Sequence, residues 1–345
     1  MARETYLVGS VPLPNAEEVF RTVAQHLGPS LRWLPDGETG PRQHWLPWLE
    51  PIFSGHPHLE ATSDIYERVH EHMPNARYRA CPGVNVADVR FDNLPFAAIA
   101  LESYGDFSRL KREGVIPARV KFQVCLAGIS SVMRRFIVEE QQEVLSRSYE
   151  RGLLDQVACM TASIPSGELA IQWDVASAVF QYIEAGDATR FGQTSAQMLE
   201  YFTDVHARLG NAVPKDVDLL FHLCYGDAGH RHSIEPGSLR WPVEFANRLS
   251  AKIDRAIQAF HMPVPRNRGD DAYFEALREL KLKPETTLAL GLVHYTDGAE
   301  GTRARIAVAE KYRKDFAVAT ECGFGRRDPA TLPRLLEIHA EAAGL

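Results

Sequence analysis

Long apolar runs are missing from this 345-residue chain. No stretch approaches the roughly 20 apolar residues that a membrane-spanning helix needs. The N-terminus sets Arg3 and Glu4 ahead of the short run Tyr6–Val11 and then Pro12, without the long apolar core and small-residue cleavage site of an export signal. Positive charge is not in excess either: 38 Lys and Arg against 45 Asp and Glu give a net charge of −7, which argues against a general nucleic-acid binder. Cysteines are few, odd in number and scattered (Cys81, Cys125, Cys159, Cys224 and Cys322). They read as thiols in a reducing compartment, so a cytoplasmic location is expected. A dinucleotide-binding GxGxxG, a phosphate-binding P-loop, a serine-hydrolase elbow, internal repeats and low-complexity tracts are all absent.

What is present is an ordinary globular composition, 45% hydrophobic and 24% charged. A chain of this size buries about three quarters of its unfolded surface, so neither a disulfide nor a metal is needed for folding. Eight short apolar runs read as strands buried on both faces. They are Tyr6–Val11, Leu31–Pro35, Val120–Leu126, Leu169–Trp173, Leu219–Cys224, Ala256–His261, Thr287–Val293 and Phe316–Thr320. Helical patterns lie between them. Asn15 is an N-cap candidate with Glu18 three residues on, ahead of a helix through Leu27, and further helices are expected near 132–157, 189–209, 242–254, 270–281, 301–314 and 330–342. Eight strands alternating with helices predict one (β/α)8 TIM barrel over residues 1–345, with a doubly wound open sheet as the alternative. Residues 41–118, between the second and third strands, are too long for a simple loop. They are expected to form an insertion, either over the barrel mouth as a lid or part of the substrate pocket, or as an extra helix and hairpin packed outside.

Active sites of such barrels are built at the C-terminal ends of the strands. His222 and Cys224 end the fifth run two residues apart, so their side chains share a face. Cys322 follows the eighth run. One imidazole and two thiols at strand ends offer the three protein ligands of a catalytic zinc site with one position open. The competing reading is two small buried hydrophobes and a hydrogen-bonded core histidine. Other polar groups end other runs: Ser10, Asp36 and Glu38, Asp174, His261 and His294. Asp36-Gly37 is also an ordinary turn signal. Glu38 and Asp174 are equally readable as loop carboxylates paired with Arg42 or Arg32, and Arg326-Arg327 either meet an anionic donor or, as expected here, are merely solvated.

Gly9-Ser10, Gly37-Glu38, Ile171-Gln172-x-Asp174, His222-x-Cys224 and Glu321-Cys322-Gly323 together resemble the C-terminal catalytic barrel of the cobalamin-independent methionine synthases, in order over roughly residues 5–327. The chain is also similar to the wider superfamily of uroporphyrinogen-decarboxylase-like barrels. Carried over by position, the resemblance implies His222, Cys224 and Cys322 as zinc ligands. It implies Ser10, Glu38 and Asp174 as holding the amino-acid part of a homocysteine-like acceptor, with His294 and Asp174 catalytic. That family draws a further zinc ligand, a glutamate, from the sixth strand, where His261 is the nearest, weaker candidate here. Two more departures, Asp174-Val175-Ala176 for Asp-Glu-Pro and Glu321-Cys322-Gly323 for Asp-Cys-Gly, leave both substrates undetermined.

The function expected is therefore a zinc-dependent methyl- or alkyltransferase to a small thiol. Its partners would be that thiol and a methyl donor, a methylated folate among the candidates, with no nucleic acid, no membrane, and a homodimer compatible with the sequence. A thiol with a pKa near 8.5 is mostly protonated at neutral pH, and zinc coordination deprotonates it. A folate nitrogen leaves only when protonated, and His294 is the acid expected to supply that proton. The alternatives are a metal-independent decarboxylase or lyase of the same superfamily and a non-catalytic thiol- or folate-binding relative.

Overall fold

The structure is a computed structural model describing residues 3–68, 71–227 and 231–345. Helix α1 (Ala16–Leu27) and strand β1 (Trp33–Pro35) come first. Helix α2 (Glu50–Ser54), an antiparallel hairpin of β2 (Leu59–Arg68) and β3 (Glu71–Ala80), and helix α3 (Phe96–Arg112) follow. The chain continues through β4 (Lys121–Ala127), α4 (Ile129–Phe136), α5 (Gln142–Ser163), β5 (Leu169–Val175), α6 (Ser177–Ala185), α7 (Ser195–Ala212) and β6 (Asp218–Leu223). It ends with α8 (Arg240–Lys252), β7 (Ala259–Pro263), α9 (Asp271–Phe274), β8 (Thr287–Gly291), α10 (Gly298–Ala309), β9 (Ala317–Val318) and α11 (Leu332–Ala343).

Seven strands pair in parallel in the order β1-β4-β5-β6-β7-β8-β9. They form a curled sheet wrapped by helices, consistent with an α/β barrel. The expected first strand, Tyr6–Val11, is not a strand. Thr5 alone bridges both edges, pairing in parallel with Leu31 beside β1 and with Val318 of β9. Beyond it the carbonyls turn to side chains. Leu7 O accepts from Gln123 Nε2 at 3.0 Å, and Val8 O from Gln172 Nε2 at 2.7 Å and from the Cys125 thiol at 3.2 Å. Side-chain amides of β4 and β5 thus replace ladder bonds, satisfying the backbone without a regular strand.

Inward- and outward-facing strand residues separate into two cores. Ile171, Trp173, Phe221, Phe260, Leu288 and Leu290 belong to the larger one, against the helices. The inward cluster is made of Tyr6, Val8, Trp33 and Leu220 packed among Ala170, Ala259, Ala289, Ala317 and Ala319. Alanines at these positions leave room for the large rings. At one end of this interior Asp218 accepts from Trp33 Nε1 and from Lys121 Nζ, both at 2.7 Å.

Asn15 caps α1 as expected, accepting from Glu18 N–H at 2.9 Å. The helix expected at 132–157 is broken, because Ile137 leaves α4 to bridge Tyr78 of β3 before α5 begins. The connection from β1 to β4 holds both the hairpin and α3. Helix α3 packs in the outer layer between α1 and α5, with Phe107 edge-on to Phe20 at 5.5 Å. Among the described residues no helix is long and apolar enough to cross a membrane.

Ala259 is fully buried within the small inward core. Ala259→Leu should destabilise the protein by about 1–3 kcal/mol through overpacking. Urea unfolding measures this, and an unchanged midpoint would show that the interior has unused space.

Candidate active site

The parallel register sets Ala127, Asp174, His222, His261, Ala289 and Ala317 side by side across six strands. Parallel neighbours in register point to the same side, so Asp174, His222 and His261 all face inward. Cys224 follows β6, its N–H bonded to Val175 O at 2.9 Å. Cys322 arrives from the loop after β9. That loop is tied to the N-terminal segment, where Phe324 N–H donates to Ser10 O and Gly325 N–H to Ser10 Oγ at 3.2 Å.

His222, Cys224 and Cys322 converge, with their donor atoms all within 4.8 Å of one another. Cys224 Sγ lies 3.9 Å from Cys322 Sγ, which is 3.9 Å from His222 Nε2. Tetrahedral zinc with sulfur and nitrogen ligands at about 2.0–2.3 Å separates donor atoms by roughly 3.4–3.8 Å, so three ligands of such a site stand nearly in place. Two soft thiolates and one imidazole are a donor set that suits zinc. Both sulfurs also receive donors. Gly226 N–H points to Cys224 Sγ at 3.2 Å, and Arg326 Nη2 lies 3.6 Å from Cys322 Sγ. The Cys322 thiol is held well below its usual range by the hydrogen bond from Cys224, while burial acts the other way.

These residues open into a cavity of about 350 Å³ that Ser10, Glu38, Asp174 and Arg326 also line. Asp174 is buried, with Oδ1 accepting from Gln172 Nε2 at 2.7 Å and Oδ2 from the indole Nε1 of Trp45 at 3.1 Å. Burial pushes its pKa up to about 6, although His222 pulls it down. Glu38 stands on a tight turn with φ of 44°, a left-handed conformation that costs a non-glycine residue energy and recurs at functional sites. Asp36 holds that turn by accepting from Glu38 N–H at 2.9 Å, from both Arg42 terminal nitrogens at 3.2 and 2.9 Å, and from Ser103 Oγ at 2.9 Å. Arg42 is thereby committed to Asp36, and Arg32 lies over the Trp33 ring at 4.5 Å. Neither arginine hydrogen-bonds Glu38 or Asp174, so the two carboxyl groups are not directly paired with Arg42 or Arg32, although the Arg42 charge still acts on Glu38. Burial and the neighbouring Asp174 charge raise the Glu38 pKa well above the carboxylate range.

Three expectations change. His261 is not brought to the metal-ligand group: β7 runs on to Pro263, which places His261 mid-strand with both ring nitrogens engaged, Nδ1 with His222 Nδ1 at 2.7 Å and Nε2 with Thr320 O at 2.9 Å. His294 does not line the cavity. Its Nε2–H donates to Val264 O at 2.8 Å, and burial together with the Arg305 charge pushes its pKa down to about 3, which leaves it neutral and a poor acid reservoir. Arg326 is not merely solvated, since it pairs with Asp227 Oδ2 at 2.9 Å and donates through Nε to Asp227 O at 3.1 Å. Trp45 went unread as a site residue because it reaches Asp174 across 129 positions of sequence. No strand-end rule marks it.

Fold and site together describe an α/β barrel with a thiol- and imidazole-lined pocket at its strand ends. No protein-family model matches the chain, and no curated protein matches its sequence. Solved structures do match in fold. A B12-independent methionine synthase from Shewanella sp. W3-18-1, in complex with selenomethionine, aligns over 100% of this chain and 97% of its own with a TM-score of 0.61 at 14% identity. A protein assigned as a vitamin-B12 independent methionine synthase from Listeria monocytogenes aligns over 100% and 98% with a TM-score of 0.57 at 12% identity. At these identities the likeness is one of fold.

The loop carrying Cys322 passes too close to Ser10 for a side chain: a Cβ on Gly323 would lie 2.3 Å from Ser10 Oγ and 2.9 Å from Ser10 N. Gly323→Ala should therefore displace Cys322 and weaken metal binding by about 10–100-fold, as loss of a supporting contact does. Chelator competition on the folded variant reads this, and unchanged affinity would show that the loop relaxes without moving the sulfur.

Proposed function

We propose that this protein is a zinc-dependent methyl- or alkyltransferase acting on a small thiol. The observation that carries the proposal is the convergence of His222, Cys224 and Cys322 on one point of the pocket wall. A metal-independent decarboxylase or lyase would have no use for that convergence. The full-length likeness in fold to methionine synthase structures, one of them holding selenomethionine, supports a thioether or thiol amino acid as the ligand class. Bound at these three residues, zinc supplies the Lewis acidity that keeps a small thiol deprotonated at neutral pH.

The chain's own groups then bind and orient. Glu38 and Asp174 face the cavity without a hydrogen-bonded cation of their own, and we assign them to the substrate ammonium. Trp45 and Gln172 each donate to one oxygen of Asp174, fixing the direction of its charge. Ser10 Oγ accepts from Gly325 N–H and keeps its own proton for the substrate. His294, the acid expected from the sequence, is turned to Val264 O and away from the pocket, whereas His44 lines the cavity. The hairpin contributes Tyr66 and Met73 to the cavity wall, which supports a role for the 41–118 segment in enclosing the substrate.

Elemental analysis of protein purified without chelator should give near-stoichiometric zinc in the wild type and a sharp loss in Cys322→Ala. No zinc in either, even after reconstitution, would overturn the proposal. A thioether amino acid carries the ammonium without a thiol, so its binding isolates the carboxylates. Its affinity should fall by up to tenfold per pH unit as the medium drops below about 6, where Asp174 takes up its proton. A flat calorimetric profile from pH 7.5 to 4.5 would remove Asp174 from ammonium recognition.

A further inference from the structure

We propose that His261 is a positioning residue: it holds His222 in the tautomer that turns an unprotonated Nε2 toward Cys224 and Cys322. The inference rests on the metal-binding reading above and concerns what prepares the ligand.

The reasoning follows the protons. A backbone carbonyl only accepts, so the 2.9 Å contact between His261 Nε2 and Thr320 O requires a proton on that nitrogen. In a neutral His261 that leaves Nδ1 as an acceptor. The 2.7 Å contact between the two Nδ1 atoms holds one proton, which then belongs to His222. With its proton on Nδ1, His222 presents a lone pair at Nε2, the atom 3.9 Å from Cys322 Sγ. His261 is fully buried and lies flat against the Tyr6 ring, at 5.7 Å between centroids and 11° between planes. Tyr6 in turn donates to Gln172 Oε1, which also accepts from Gln123 at 2.9 Å. The ring is thereby fixed from three sides: by a carbonyl, by a stacked aromatic and by His222.

A metal-binding histidine is normally oriented by a carboxylate, a carbonyl or water on its other nitrogen. Here a second imidazole takes that place and relays the orientation of the Thr320 carbonyl. Thr320 lies two residues before Cys322. Its own Oγ1 donates to Cys322 O at 2.6 Å. One short segment therefore carries a ligand and sets the tautomer of another.

The test compares His261→Phe, which keeps the ring stack but removes the acceptor, with His261→Gln, whose amide both accepts and donates. Zinc affinity by chelator competition should fall about 10–100-fold in His261→Phe and stay within a few-fold of wild type in His261→Gln. A folded His261→Phe with wild-type affinity would overturn the proposal. Nitrogen-15 histidine NMR on the wild type gives an answer that needs no variant. The expected signature is a slowly exchanging proton on His222 Nδ1 and none on Nε2, and a proton on Nε2 instead would refute the relay. The metal-free wild type gives the same readout. If the wild type binds no zinc, the metal reading fails while the tautomer is still decided.

Discussion

The site depends on one register: β5, β6 and β7 align so that Asp174, His222 and His261 occupy one inward row. Three ionisable side chains so placed would be costly in a dry interior unless every polar atom found a partner. The solution is a chain of donors and acceptors with a definite direction. It runs from the Thr320 carbonyl through both imidazoles on one side, and from Tyr6 and Gln123 through Gln172 to Asp174 on the other. The same network satisfies the Leu7 and Val8 carbonyls, so the irregular N-terminal segment that spans the sheet edges and the order of the pocket share a cause.

Charge in the pocket follows from this arrangement. The Asp174 charge adds to burial in raising the proton affinity of Glu38, and no arginine hydrogen-bonds either carboxyl group. Arg326 also lines the pocket, committed to Asp227 and close to the Cys322 sulfur. The two sulfurs therefore share the pocket with one guanidinium and with two carboxyl groups that hydrogen-bond no cation. That combination matches a substrate with a thiol at one end and an ammonium at the other.

Much of the fold was legible because strands buried on both faces leave near-continuous apolar runs. Seven of the eight runs overlap strands of the sheet, and His222, Cys224, Ser10, Glu38, Asp174 and Cys322 do line one cavity. The failures have physical reasons. Tyr6–Val11 has the composition of a strand, but its carbonyls are taken by glutamine side chains that periodicity does not report. Ala256–His261 was placed about three residues early, because Gln258 bonds the Leu219 backbone before the strand begins. That shift is the difference between a residue at the mouth and one behind a ligand. His294 shows that a histidine just after a strand can turn to a neighbouring carbonyl instead of the pocket. Trp45 and Arg326 act through tertiary contacts with Asp174 and Asp227, which no local pattern encodes.

Zinc K-edge absorption on the metal-loaded protein, before and after adding a small aminothiol, tests the central claim most directly. A first shell of two sulfurs and one imidazole, gaining a third sulfur on addition, is the expected result. A shell without sulfur, or one that the thiol leaves unchanged, would contradict a thiol-activating centre at His222, Cys224 and Cys322.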